Sequence, residues 1–281
     1  MPSDLAEGGR QAAALTASVR DLMEEAGRSA LLSRYRQLEP HEVEEKEPGE
    51  TVTAADRHSE AILTTGLAAL LPDAMILAEE AAHADPRLMD GLGAKLCWII
   101  DPLDGTGHYA SGAGPFGIIV ALAAEGLAVG GWILDPLSGR FCWAASGHGA
   151  FIAGNRVQVA DRRGERPTIG LSALLRRLPN FDAIVACLQS SHEPVDIPRC
   201  AAEVYPSVAF GAPDLALFER TLPWDHAAGV LFLSEAGGHC ARIGGKPYRV
   251  DDRSTGLLTA RSRESWELAA GLLRELPSGW A

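Results

Sequence analysis

Apolar and polar positions in the first half of the chain predict two helices followed by a series of strands. Ala, Leu, Met and Arg dominate residues 10–38, which predicts a helix. Residues 39–50 are charged and rich in turn formers, which predicts a loop. A second helix is predicted to begin within residues 53–56 and to end at Pro72. Short apolar runs then predict strands at 75–78, 95–101, 116–124, 127–134, 140–145 and 149–153.

Glycine, proline and aspartate turns separate the last five of these strands closely, which predicts an antiparallel sheet in a first lobe. The second half alternates instead. It contains an apolar run at 183–188, a helix near 199–210, a short strand at 214–219 and a helix at 224–236. We therefore predict an α+β lobe over residues 1–155 and a smaller α/β lobe over residues 156–281, packed together as one compact unit.

The composition of the 281-residue chain is that of an ordinary globular protein, with 47% hydrophobic and 22% charged residues. A net charge of −12 leaves no electrostatic footprint for nucleic acid or an anionic membrane, so we expect neither as a partner. The five cysteines are scattered and contain no CxxC pair, which disfavours a disulfide framework or a zinc site and fits the cytoplasm. No signal-peptide pattern and no apolar run of about 18 residues is present.

The segment with the most chemical information reads Asp-Pro-Leu-Asp-Gly-Thr and directly follows an apolar strand. Asp101 ends that strand, Pro102 is expected to stop it, and Asp104 follows three residues after Asp101. Gly105-Thr106 then opens a helix start with free backbone N–H groups. Two carboxylates beside an anion-binding helix end form the arrangement that holds Mg²⁺ and a phosphate together.

Further acidic residues lie at the boundaries of predicted elements. Asp56 and Asp225 come at helix starts, and Glu79 with Glu80 follows a strand. An isolated Asp at a helix start is more often a cap than a ligand. A pair of carboxylates at a strand end is different, because the two repel each other and a cation relieves the repulsion.

Several ordered motifs together resemble the inositol monophosphatase superfamily of Mg²⁺-dependent, Li⁺-sensitive phosphatases. The matching segments are residues 98–106, 222–229, 234–238, 51–56 and 78–80. The resemblance spans residues 10 to 260 and implies a layered α/β/α/β/α sandwich, commonly a homodimer. It also implies a phosphomonoesterase with an inositol-1-phosphate-like substrate, whose metal motifs lie in the first lobe and are completed by the second.

The resemblance implies a role for each matching residue. Two or three Mg²⁺ ions would be held by Glu79, Asp101, the Leu103 carbonyl, Asp104, Asp225 and, through water, Asp56. Thr106 and Glu79 would orient the attacking water, and Asp56 would hydrogen-bond the Thr106 hydroxyl. The N–H groups of Gly105 and Thr106 would bind the phosphate. These roles agree with metal-activated hydroxide attack, which needs no covalent phosphoenzyme.

A rival phosphatase class can be excluded from the spacing. Haloacid dehalogenase-type enzymes use Asp-x-Asp-Gly-Thr with the first Asp as nucleophile. In this chain the segment from Asp101 to Thr106 is one residue longer. An extra residue at a strand end would re-aim that nucleophile.

The residues expected to contact the alcohol part of the substrate depart from the family pattern. Glu219 matches an acidic residue that binds sugar hydroxyls, yet it lies one residue closer to Asp225 than usual. Cys200 and Ala201 stand where the family carries a Gly-Ser-Ala stretch, and His108 is either a surface imidazole or a substrate contact. A nucleoside 3′,5′-bisphosphate, histidinol phosphate or a sugar phosphate is therefore an alternative substrate. A partner-binding regulatory protein on the same fold is an alternative from another class.

Overall fold

The computed structural model describes residues 3–47, 49–159 and 166–276 of the chain. Helices α1 (Ser3–Ala26) and α2 (Ala54–Leu70) form the outermost layer. One π-helical stretch, Gly27–Leu32, extends α1. The helix was predicted to reach residue 38 but ends at Leu32, because the chain then turns and Arg36 adopts a left-handed φ of +62°.

The predicted loop at 39–50 is largely a β-hairpin instead. A 3₁₀ turn at Pro40–Glu42 leads into β1 (Val43–Glu47), which pairs antiparallel with β2 (Glu50–Thr53). The high charge of this segment concealed the strands, because its side chains form ion pairs rather than an apolar face. Glu44 pairs with Arg57 of α2, for example.

A seven-stranded sheet follows in sequential strand order. Its strands are β3 (Met75–Ala78), β4 (Cys97–Asp104), β5 (Gly117–Ala124), β6 (Leu127–Asp135), β7 (Arg140–Ala145), β8 (Gly149–Ile152) and β9 (Asn155–Val157). All neighbours pair antiparallel except β3 and β4, so the predicted antiparallel sheet is confirmed. Short helices α3 (Glu79–Ala84) and α4 (Thr106–Ala110) follow β3 and β4, and a 3₁₀ segment spans Pro86–Gly91.

The second half builds a mixed five-stranded sheet of order β11-β10-β12-β14-β13. Its strands are β10 (Thr168–Leu171), β11 (Glu193–Asp196), β12 (Leu215–Phe218), β13 (His239–Arg242) and β14 (Leu257–Ala260). Its helices are α5 (Phe181–Leu188), α6 (Ala201–Phe210), α7 (Pro223–Glu235) and α8 (Arg263–Arg274), with a 3₁₀ segment at Ala173–Arg177. The predictions of β12, α6 and α7 are confirmed, and the apolar run at 183–188 lies in α5.

Three apolar clusters show how these elements are layered. Alternate residues of the large sheet pack against α1 and α2 on one face and against α6 and α7 on the other. The opposite side of α6 and α7 packs against the small sheet, whose far face is covered by α5 and α8. This gives the order α/β/α/β/α, so the predicted layered sandwich is confirmed. Helix α7 is buried on nearly all sides because it lies between the two sheets.

Candidate active site

An irregularity in β4 brings its two aspartates to the same face of the sheet. Asp101 pairs with Ile119 of β5, whereas Asp104 pairs with Gly117, so three residues advance on β4 against two on β5. In a regular strand, residues three apart point to opposite faces. The extra residue returns Asp104 to the face that Asp101 occupies, so both carboxylates face the layer of α6 and α7.

Local hydrogen bonds stabilise this bulge. The Leu103 N–H donates to Asp101 Oδ1 at 3.0 Å, and the buried Ser59 hydroxyl of α2 donates to the Pro102 carbonyl at 2.8 Å. The prediction that Pro102 ends the strand is therefore wrong. Because Pro102 falls where the ladder is already interrupted, its missing N–H removes no pairing that the sheet needs.

Two further carboxylates approach the same face from neighbouring elements. Asp225 lies in the first turn of α7, where the residue before the helix is Leu222 and makes no side-chain cap. Glu79 begins α3 at the end of β3. The Glu60 carboxylate of α2 accepts the N–H groups of Glu80 and Ala81 at 2.9 and 3.2 Å, which fixes the start of α3.

The carboxylates of this cluster repel one another. Burial raises the pKa of Asp101 well above its usual value, and the charges of Glu79, Asp104 and Asp225 raise it further. Burial likewise raises the pKa of Asp225, with Asp104 and Glu79 adding to the effect. The pKa of Asp104 is raised by burial, although the Ala202 N–H opposes this by donating to Asp104 Oδ2 at 2.6 Å.

This donor set fits a hard divalent cation, because it consists of buried, mutually repelling oxygens. Within the described ranges, no three His, Cys, Asp or Glu side chains already converge as a finished ion site. Glu79 Oε1 instead accepts a hydrogen bond from Lys46 Nζ of β1 at 3.1 Å, and Lys46 also pairs with Glu80. Burial opposes the charge of Lys46, but the two glutamates outweigh it and raise the pKa of this ammonium group.

Thr106 and Asp56 form a second polar group beside the cluster. Thr106 Oγ1 lies 3.1 Å from Asp56 Oδ1 and 2.9 Å from the Leu103 carbonyl. The other Asp56 oxygen accepts from the backbone N–H and the hydroxyl of Thr53, at 2.8 and 2.6 Å. Thr53 rather than Asp56 is thus the N-cap of α2, and Asp56 completes a capping box. Burial raises the pKa of Asp56 to about 6.

Gly105 turns the chain between β4 and α4. Its φ is +82°, and a Cβ at this position would lie 2.8 Å from the Pro115 carbonyl oxygen. Only glycine fits this turn without strain. The Gly105 N–H faces the Asp104 carboxylate and lowers its pKa, so the amide lies directly at the carboxylate cluster.

The sequence model of the inositol monophosphatase family matches residues 15–280. The chain belongs to the inositol monophosphatase family. An inositol-1-monophosphatase of Rhizobium meliloti is 33% identical over 232 residues, covering 80% of this chain and 85% of the relative. A protein of Xylella fastidiosa named Nus factor SuhB is 32% identical over 266 residues, covering 90% of each chain.

A solved structure shows the same fold. The extragenic suppressor protein SuhB of Bartonella henselae superposes with a TM-score of 0.77 at 24% identity, covering 93% of this chain and 99% of that one. Like the phosphatases of its family, the chain is a phosphoric monoester hydrolase, and the family is metal-dependent.

The four residues predicted to contact the alcohol differ in their surroundings. Cys200 is buried, with Sγ directed at the Asp104 carbonyl at 3.9 Å, and Ala201 is buried beside it. Both could offer a substrate little beyond backbone atoms. His108 lies on α4, where its Nε2 is buried and has no hydrogen-bond partner among the described residues. Glu219 is partly exposed at the end of β12.

Two features of the site had no recognised signal in the sequence. Lys46 lies in a segment that reads as a charged loop, and no alternation of apolar and polar residues there marks its side chain as inward-facing. The buried His226 ring links Tyr205 and Arg220: the Tyr205 hydroxyl lies 2.8 Å from Nδ1, and Nε2 lies 3.2 Å from the Arg220 carbonyl. These two hydrogen bonds hold the segment between Arg220 and Asp225 in place.

Proposed function

We propose that the protein is a Mg²⁺-dependent phosphomonoesterase that hydrolyses a small phosphorylated alcohol. The observation that carries this proposal is the cluster of repelling carboxylates, Glu79, Asp101, Asp104 and Asp225, next to the turn at Gly105. A divalent cation removes that repulsion, and a phosphate brought to the same place would be bound by the cation and by backbone N–H groups.

We assign the carboxylates to two or three Mg²⁺ sites. Glu79, Asp101 and the Leu103 carbonyl would hold one ion, and Asp101 with Asp104 and Asp225 a second. Glu79 and Asp56 would hold a third through water. Bound Mg²⁺ would neutralise phosphoryl charge and lower the pKa of a coordinated water, so that hydroxide is available near neutral pH.

Thr106 and Asp56 would position the attacking water together with Glu79. The Thr106 hydroxyl carries one proton, which it can donate to Asp56 Oδ1 or to the Leu103 carbonyl. An Oγ1 lone pair is then free to accept a hydrogen bond from the water, which fixes its direction of attack. The N–H groups of Gly105 and Thr106 would bind the phosphate oxygens.

The substrate would be similar in size to inositol 1-phosphate, and its alcohol part would contact Glu219, His108, Cys200 and Ala201. We further propose that the protein acts in the cytoplasm as a homodimer. The five cysteines are free thiols, which agrees with a reducing compartment. No helix within the described ranges is long and apolar enough to cross a membrane.

The test is phosphate release from inositol 1-phosphate, adenosine 3′,5′-bisphosphate, histidinol phosphate, fructose 1,6-bisphosphate and glycerol 2-phosphate. Each is assayed with Mg²⁺, with EDTA, and with Mg²⁺ plus Li⁺. We expect turnover of at least one compound that EDTA and Asp104→Asn both abolish, while Asp73→Asn, at an exposed turn, retains it. Release that persists in EDTA would contradict the metal mechanism.

A second candidate function is suggested by the relative named Nus factor SuhB, which aligns over 90% of both chains. A regulatory role through a protein partner would not need the carboxylate cluster. Cells that carry Asp104→Asn in place of the native gene separate the two functions. If the variant fails to perform the cellular function of the native protein, catalysis is supported. If it still performs that function, the partner role is supported.

A further inference from the structure

Three arginines from separate parts of the chain meet the tip of the β1–β2 hairpin. Arg199, which precedes α6, donates from Nη1 to the Gly49 carbonyl at 3.3 Å. Arg220, which follows β12, pairs with Glu50 of β2. Arg177 ends a 3₁₀ segment, and its Nη2 would lie 3.4 Å from a Cβ at Gly49. The hairpin tip thus gathers guanidinium groups that are far apart in sequence.

This arginine cluster (Arg177, Arg199 and Arg220) borders the alcohol side of the proposed active site. The charge of Arg220 acts on Asp225, where it opposes the rise in pKa caused by burial. Arg199 directly precedes Cys200, whose Sγ points to the Asp104 carbonyl. On the hairpin itself, at most about 10 Å of extended chain separates the tip from Lys46, which contacts Glu79.

Two of the three guanidinium groups keep their charge available. Arg220 is balanced by Glu50, and its Nε is buried without a hydrogen-bond partner among the described residues. Arg177 and Arg199 are exposed and form no ion pair with any side chain in the described ranges. Neighbouring Arg176, by contrast, pairs with Asp196 at 2.5 Å. Glu45 also lies at the tip, where its Oε1 accepts the Gly49 N–H at 2.9 Å, so three arginines face two glutamates, Glu45 and Glu50.

We propose that the substrate carries a second phosphate group, which Arg177 and Arg199 bind at the hairpin tip while Arg220 lines the same subsite. This inference rests on the proposed phosphatase function and narrows its substrate to a bisphosphorylated small molecule. Guanidinium groups suit this task because their planar, forked donors match phosphate oxygens in pairs. Inositol-type hydroxyl groups would offer the charges of Arg177 and Arg199 no opposite charge.

The test compares each bisphosphate with the monophosphate that shares its scissile group. The pairs are adenosine 3′,5′-bisphosphate with adenosine 3′-phosphate, inositol 1,4-bisphosphate with inositol 1-phosphate, and fructose 1,6-bisphosphate with fructose 1-phosphate. In at least one pair we expect kcat/KM to favour the bisphosphate by about 10- to 100-fold, the value of one or two charge-assisted contacts at a partly exposed site. The preference should lie mainly in KM.

Arg177→Ala/Arg199→Ala should bring this ratio of kcat/KM values close to one. The matched control is Arg176→Ala, which removes a neighbouring arginine with its own carboxylate partner and should keep the ratio. If the arginines only fasten the hairpin, the double variant will slow both members of a pair equally, which overturns the proposal. A wild-type enzyme that prefers the monophosphates overturns it as well, while leaving the phosphatase function intact. No release from any compound would instead refute the phosphatase function itself.

Discussion

Replacing Gly229 by alanine is expected to destabilise the protein, although alanine is the better helix former. Gly229 lies inside α7, and a Cβ there would stand 2.1 Å from Cδ2 and 2.3 Å from Cγ of Tyr205. Carbon atoms in contact prefer about 3.5–4.0 Å. The Tyr205 ring is fully buried and stacks on Phe218 with centroids 5.7 Å apart, so it has little room to retreat.

The magnitude follows from three opposing contributions. Helix propensity favours alanine by about 1 kcal/mol. Overpacking a rigid core site costs about 1–3 kcal/mol or more. Displacing Tyr205 also weakens its hydrogen bond to His226, a loss of about 1 kcal/mol. We therefore expect Gly229→Ala to lower the free energy of unfolding by about 1–3 kcal/mol.

Gly271 provides the matched control, since it lies inside α8 and a Cβ there would meet nothing within 4 Å. Gly271→Ala should stabilise the protein by up to about 1 kcal/mol through helix propensity alone. In thermal and urea unfolding, the changes in stability of the two variants relative to wild type should have opposite signs. Each kcal/mol should shift Tm by about 2–4 °C. If Gly229→Ala proves as stable as Gly271→Ala, the packing of α6 against α7 described above is wrong.

Three further predictions concern charge and turn geometry. Lys46→Met should lower the stability of the EDTA-treated protein by about 1–3 kcal/mol, because Glu80 loses its buried counter-charge, and Mg²⁺ should recover part of the loss in a thermal melt. Burial lowers the pKa of His226 to about 3, so the unfolded chain binds the extra proton below pH 6.5. The contribution of His226 to stability should therefore fall as the pH drops, by about 2 kcal/mol at pH 5, and urea titrations measure it as the difference in pH dependence between wild type and His226→Asn. Gly105→Ala should lower kcat about 100-fold, because its Cβ would press on the Pro115 carbonyl and shift the turn that we propose binds the phosphate.

Each of these has a control or a contrary outcome. Lys95→Met removes an exposed lysine and should leave the melt unchanged. An equal pH dependence in wild type and His226→Asn would show that His226 is not kept neutral by the fold. Gly107→Ala, two residues after Gly105 in open space, should retain kcat, and an equal loss in both glycine variants would contradict the strain argument.

The large sheet could be predicted from the sequence because its strands are long and separated by turn residues. Of the small sheet only β12 was predicted, since all its strands have only four residues and gain most of their apolar partners from distant elements. The hairpin of β1 and β2 was missed for a different reason. Its side chains are satisfied by Arg57, Glu79 and Glu80, none of which a local pattern can reveal.

The candidate site was easier to predict than the fold around it. Asp101 and Asp104 stand next to a glycine and a threonine, so the local chemistry was visible in six consecutive residues. The arginine cluster was not, because Arg177, Arg199 and Arg220 become neighbours only when three loops close on the hairpin tip. Local motifs thus reveal the residues proposed to react, whereas tertiary structure is needed to place the residues proposed to select a substrate.

The bulge in β4 adds one residue between Asp101 and Asp104 relative to the paired strand β5. Because of this extra residue, Asp101 and Asp104 share a face although they are three residues apart. Deleting Leu103 would return the strand to regular alternation and leave the two aspartates two residues apart on the same face, but it would remove the carbonyl that accepts the Thr106 hydroxyl at 2.9 Å. The extra residue is therefore needed for more than the shared face of the aspartates, because its carbonyl holds Thr106 and its buried side chain fills the core beneath α2.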